Sequence, residues 1–139
     1  MMEVNYIAVV VAAVVAMVLG FLWYGPILGK PWMKEMGFTK SDMDAAKKKG
    51  MTKNYVIMLV SSLVMAYVLS HNVGMSIATF GDMGLMSGVQ TGFWIWLGYV
   101  ATVLLGKVLW EGKSWKLYII DAGYYLVSLV LMGSVIALM

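Results

Sequence analysis

Charge is almost absent from two long stretches of this chain, and no motif limits the fold as strongly. Val4 to Gly29 carries no Asp, Glu, Lys or Arg, and Asn54 to Gly106 carries only Asp82. A helix needs about 20 apolar residues to cross the hydrocarbon of a bilayer. Both runs are long enough to do so. Between them, Lys30 to Lys53 holds seven of the ten lysines, with Glu35, Asp42 and Asp44. At 62% hydrophobic and 12% charged over 139 residues, the chain has too few charges for the surface of a soluble domain. The pattern predicts one all-α integral membrane domain over 1–139. It should have four transmembrane helices and a short cytoplasmic amphipathic or soluble helix between the first and second.

Lysine placement sets the orientation. With four spans, the loop 30–53 and the Lys107 to Lys116 turn fall on one side, and together they hold all ten lysines. The positive-inside rule makes that side cytoplasmic, with both termini outside, in the inner (plasma) membrane. The leading Met1, Met2 and Glu3 lack the basic charge of a secretory signal, so the first run is read as a retained span. The net charge of +3 belongs to span-flanking lysines rather than to a basic stripe, and nucleic acid is not expected as a partner. No cysteine is present, which excludes disulfides, thiolate metal sites and cysteine nucleophiles.

The spans are predicted at about 5–24, 55–70, 84–106 and 115–138. Gly25-Pro26 should end the first, because proline lacks the amide and disfavours helix in the residue before it. Ser41, with Asp44 three residues on, Lys47 to Lys49 and then Gly50, marks a soluble helix with Ser41 as its cap. His71 to Met83 is read as the connection after the second span. Small residues recur at helical spacing as Ala8, Ala12, Ala16 and Gly20 in the first span, Ser62, Ala66 and Ser70 in the second, and Gly84, Gly88 and Gly92 in the third. Such stripes let helices approach closely in lipid. Their number exceeds the evident need of one chain, so a homo-oligomer is expected.

Two blocks carry a resemblance. Leu22-Trp23-Tyr24-Gly25-Pro26, continuing through Lys30, Trp32, Met33, Lys34, Met36 and Gly37, is the first, and Asp121-Ala122-Gly123-Tyr124-Tyr125-Leu126-Val127 through Met132-Gly133 is the second. They resemble the bacterial and archaeal membrane family known as domain of unknown function 1761, over nearly the whole chain. In that family asparagine is usual where this chain has Asp121, and histidine is common where it has Tyr125. The resemblance implies four spans and no established activity or catalytic residue.

Ionisable and strongly polar residues inside a membrane are costly and are functional candidates by default. Here they are Asp121, Lys107, Gln90 and His71, with Tyr125 on the face of Asp121. Folding the last two spans about their short turn brings Lys107 towards Asp121, which predicts either an ion pair or a protonated Asp121 shaped like asparagine. His71, with Met75, Met83 and Met86 downstream, has soft-ligand chemistry suited to Cu(I), but no compact ligand spacing, so no metal is assigned. Neither a phosphate-cradling glycine loop nor a nucleophile elbow is present. No catalytic or cofactor-binding set is assigned, no cofactor is expected, and the chain is read as a non-enzyme. The leading reading is a membrane or interaction role, with the bilayer as environment and anionic lipid as a possible partner of Lys30 to Lys53. The alternative is a small channel or transporter with its path at an oligomer interface. A third is an enzyme acting on lipid.

Overall fold

The structure is a computed structural model describing residues 3–139, and the described residues form helices joined by short turns. Four helical stretches are long and apolar enough to cross a membrane: Tyr6–Ile27, Thr52–Phe80, Leu85–Leu109 and Trp115–Leu138. The lysine-bearing loops lie at one end of this array, here called the lysine end.

Helix α1 (Tyr6–Leu22) starts at Asn5, whose side-chain oxygen accepts from the amide of Ala8 at 3.1 Å. It does not stop at Gly25-Pro26 as expected. It widens into a π turn, Trp23–Ile27, with Pro26 inside it. In an i→i+5 pattern the amide one residue later serves each carbonyl, so the amide that proline lacks is not missed. The Leu28 amide donating to the Trp23 carbonyl at 2.8 Å has that register. The stop comes at Leu28, with φ −123° and ψ 13°, and the chain turns tightly into the next helix: a Cβ on Gly29 would lie 2.7 Å from the Tyr24 carbonyl oxygen.

The amphipathic α2 (Gly29–Met36) closes at Gly37, which has φ +75° and is followed by a Phe38 amide bond to the Met33 carbonyl. That left-handed turn sends Thr39 into an extended backbone, so Thr39 rather than Ser41 caps α3 (Lys40–Lys49). The motif has the expected chemistry two residues early. Thr39 Oγ accepts from the Asp42 amide at 3.1 Å while Asp42 Oδ2 accepts from the Thr39 amide at 2.9 Å. These bonds favour the carboxylate and hold Asp42 below its ordinary range.

The second span, α4 (Thr52–Phe80), is 29 residues long and contains most of the expected connection. Two polar residues of that stretch, Asn72 and His71, turn back onto the helix itself. The Asn72 side-chain amide donates to the Val68 carbonyl at 2.9 Å, and His71 packs edge-on against Tyr67 at 4.8 Å. Gly81, at φ +86°, ends it. At about 43 Å it exceeds the hydrocarbon thickness and must tilt or project.

The third span begins one residue after the expected start, with α5 (Leu85–Ile95), widens into a second π turn at Trp96–Ala101, and ends as α6 (Thr102–Leu109). Gly84 lies outside it at φ +62°, as the N-cap, and so is not part of the packing stripe. After a turn with Gly112 at φ +71°, Ser114 caps α7 (Trp115–Leu138) by accepting from the Leu117 amide.

Helix α7 is the centre, packed chiefly against α5 on one side and α1 on the other, and α1 also packs along α4. The α5–α7 backbones touch: a Cβ on Gly88 would overlap the Gly133 carbonyl, one on Gly133 would overlap that of Gly88, and one on Gly92 would lie 2.5 Å from that of Leu129. Ala8, Ala12, Ala16 and Ala66 are buried within the chain, and Gly20 faces the Tyr124 hydroxyl. These small-residue faces are therefore occupied by the chain's own helices. Those faces do not by themselves call for a second copy of the chain.

Candidate functional site

The two sequence blocks meet at the lysine end, where side chains of the π turn after α1 reach Ile120 and Asp121 in the second turn of α7. Asp121 is buried there, 7% exposed. The Tyr24 hydroxyl donates to its Oδ1 at 2.6 Å, and Lys107 of α6 donates to its Oδ2 at 3.5 Å. The two contacts differ in kind. The first is short and between partly covered groups, whereas the Lys107 side chain is 42% uncovered by protein and stands at the outer limit of hydrogen bonding.

Either side of the carboxylate, an indole grips the backbone of α7. Trp23 Nε1 donates to the Ile120 carbonyl at 3.0 Å, and Trp96 Nε1 donates to the Ala122 carbonyl at 2.7 Å. Each of these tryptophans opens one of the two π turns. Bulges of this type re-aim side chains that a regular helix would point elsewhere. Tyr118 extends the pattern by donating to the Ala101 carbonyl at 2.9 Å, and Tyr124 by donating to the Ala16 carbonyl at 2.9 Å. Gly123 has no Cβ to hold Trp23 off, since one would meet the indole at 3.2 Å.

An aromatic chain surrounds this cluster. Tyr24 packs edge-on against both Trp32 at 5.6 Å and Tyr124 at 5.3 Å, and Tyr125 joins through Tyr124 at 5.1 Å. Tyr125 is thus part of the packing rather than of the hydrogen bonds to Asp121. Trp32 continues to Phe38, which fixes α2 beside the span. The Ser114 hydroxyl also donates to Glu35 Oε2 at 2.6 Å, tying α2 to the start of α7.

The other two candidates lie elsewhere. Gln90 and the neighbourhood of His71 belong to the end remote from the lysines, where Gln90, with Asn72, Ser76 and Thr79, lines a cleft of about 580 Å³ between α4 and α5. His71 itself packs on Tyr67 and is not among the residues lining that cleft. No group of three or more His, Cys, Asp or Glu side chains with metal-holding placement occurs among the described residues.

Sequence reasoning used Trp23 and Tyr24 only as part of the first block of the resemblance and missed their part in the site. The available signal was position: an indole and a phenol directly before Gly25-Pro26, in a span with no other hydrogen-bonding side chain between Tyr6 and Trp23. Trp96 gave no such sign.

The arrangement joins α1, α6 and α7 through one carboxylate and fixes the rotation of α7 by two indoles. Chemically it is a clasp. A family model with the description "Protein of unknown function (DUF1761)" matches residues 7–137. No curated protein and no solved structure matches the chain.

Proposed function

Given that the chain belongs to the family described as Protein of unknown function (DUF1761), we propose a non-enzymatic multi-pass membrane protein whose working surface is the lysine-rich arm α2–α3. One contrast supports this reading. Trp23, Tyr24, Trp96, Tyr118 and Asp121 at the lysine end of the spans bond to one another or to backbone carbonyls, while α3 has no buried residue and presents Lys47, Lys48 and Lys49 exposed. The clasp and the Glu35 bond to Ser114 hold the base of the arm against the spans. The lysine end is cytoplasmic on the positive-inside rule, and the arm engages anionic headgroups of that leaflet.

Each lysine near an acidic surface contributes about 1 kcal/mol, so three contribute about 3 kcal/mol before screening. The test is amine-reactive labelling of Lys47 to Lys49 in the full chain, reconstituted in nanodiscs of phosphatidylcholine with or without phosphatidylglycerol. Labelling should fall several-fold with phosphatidylglycerol and recover at about 0.5 M salt, where the Debye length is only a few ångströms. Equal labelling in the two lipids would remove the headgroup as the arm's partner.

A further inference from the structure

The cleft between α4 and α5 has no part in the clasp or the arm, and its lining is graded. At the end remote from the lysines it presents Asn72, Ser76, Thr79 and Gln90. Deeper along the same seam a second hollow of about 350 Å³ is lined mainly by Met65, Val68, Leu69, Ile95 and Leu129. Asn72 and Ile95 line both, so the two hollows adjoin along one crevice of the α4–α5 seam. Both volumes fall within the roughly 300–1,000 Å³ of small-molecule sites.

The polar end is open and offers hydrogen-bonding groups: Gln90 and Thr79 are exposed, and Ser76 and Asn72 are half-buried. Among the described residues the Gln90 amide has no hydrogen-bond partner, and neither Ser76 nor Thr79 uses its hydroxyl. Asn72 donates one bond to Val68 and leaves its carbonyl free. Gln90 is five residues into α5, about 8 Å from its start, and so near the boundary between headgroups and hydrocarbon. Exposed at that depth, the amide is available to bond the head of an amphiphile that enters from the bilayer. No charged residue lines either part, and the ten lysines are confined to 30–53 and 107–116, at the opposite end. An anionic head would find no counter-charge.

We propose that this crevice is a lateral site for a single-chain amphiphile with an uncharged, hydrogen-bonding head, of the monoacylglycerol or fatty-amide class. The head meets Gln90, Asn72 and Ser76 from the bilayer side. The acyl chain runs inward over Val68 and Ile95 towards Leu129. Recognition depends on the match between a polar rim and an apolar floor, both within one leaflet, and owes nothing to the arm.

The test uses the full chain in phosphatidylcholine nanodiscs with a monoacylglycerol carrying a diazirine in mid-chain, irradiated and mapped by mass spectrometry. Label should concentrate on peptides holding Met65 to Leu69 and Ile95 to Tyr99, and unlabelled monoolein should reduce it at least fivefold. Gln90→Leu should weaken the competition several-fold at unchanged unfolding stability. Ser76→Trp, which fills the rim, should abolish the focused label, so the site stays testable if one variant fails to fold. A phosphatidylcholine or a free fatty acid with the same chain should label the four spans evenly. Even labelling by the monoacylglycerol, or focused labelling by the fatty acid, would overturn the proposal. Chain-to-chain cross-links across the crevice would overturn it too, with a second copy as the occupant.

Discussion

Replacing Tyr24 by phenylalanine should destabilise this protein more than removing the cation of its apparent ion pair. The 2.6 Å bond from the Tyr24 hydroxyl to Asp121 joins a neutral donor to a carboxylate in a largely covered site. Bonds to charged groups of this kind contribute about 1.5–3 kcal/mol. The Lys107 contact is 3.5 Å long with a lysine side chain 42% uncovered, so solvent or headgroups screen it, and pairs of that type contribute about 0–1 kcal/mol. Tyr24→Phe is therefore expected to cost about 2 kcal/mol and Lys107→Met about 0.5 kcal/mol. Asp121→Asn keeps an acceptor for Tyr24 and should cost about 1 kcal/mol or less, whereas Asp121→Leu leaves the hydroxyl enclosed and should cost about 2–3 kcal/mol. The assay is reversible unfolding by sodium dodecyl sulfate in mixed micelles, followed by far-ultraviolet circular dichroism. In a double-mutant cycle Tyr24 and Asp121 should couple by at least about 1 kcal/mol, and Lys107 and Asp121 by a few tenths. The reasoning fails if the order is reversed, or if Asp121→Asn is severely destabilising and Lys107→Met rescues it. That result would make the ion pair the principal bond.

Two further expectations follow from the packing and the cap. Gly88→Ala places a methyl where the Gly133 carbonyl stands, so α5 and α7 must separate, at a cost of about 3 kcal/mol or more in the same unfolding assay. Gly98→Ala, with nothing within 4 Å, should be neutral or stabilising, and similar results for both variants would deny the backbone contact. In α3 the folded Asp42 is held below its unfolded range, so its contribution is full above about pH 4 and is lost as pH falls through the lower folded value. The Thr39 amide resonance should shift in that acid window and not in Asp42→Asn, and a shift centred above pH 5 would contradict the cap.

Much of this architecture was legible in the sequence because a bilayer admits so few solutions. Uncharged length and lysine placement identify four spans without any knowledge of contacts. Lys107 and Asp121 flank one short turn, so hairpin geometry alone brings them within reach. Tyr24 reaches the same carboxylate from 97 residues away through a π turn, and neither the separation nor the widened register leaves a periodic trace. The length of α4 was hidden for a related reason. His71 and Asn72 look like connection residues because their polarity is visible and their partners, a ring and a carbonyl one turn earlier, are not. The glycines of α5 were readable as a contact surface. Which helix they met was not, since Gly133 carries no motif of its own.

Helix α1 is pinned to α7 at both ends. At the lysine end the clasp and Trp23 hold it, and at the other the Asn5 side-chain amide donates to the carbonyl of Met139 at 3.2 Å. The start of the first span and the end of the last thus lie side by side. The order in which its helices are strung is then separable from the way they pack. A short bridge from Met139 to Asn5, with the chain opened at the exposed Gly50 between α3 and α4, yields a circular permutant in which every interhelical contact described above can still form.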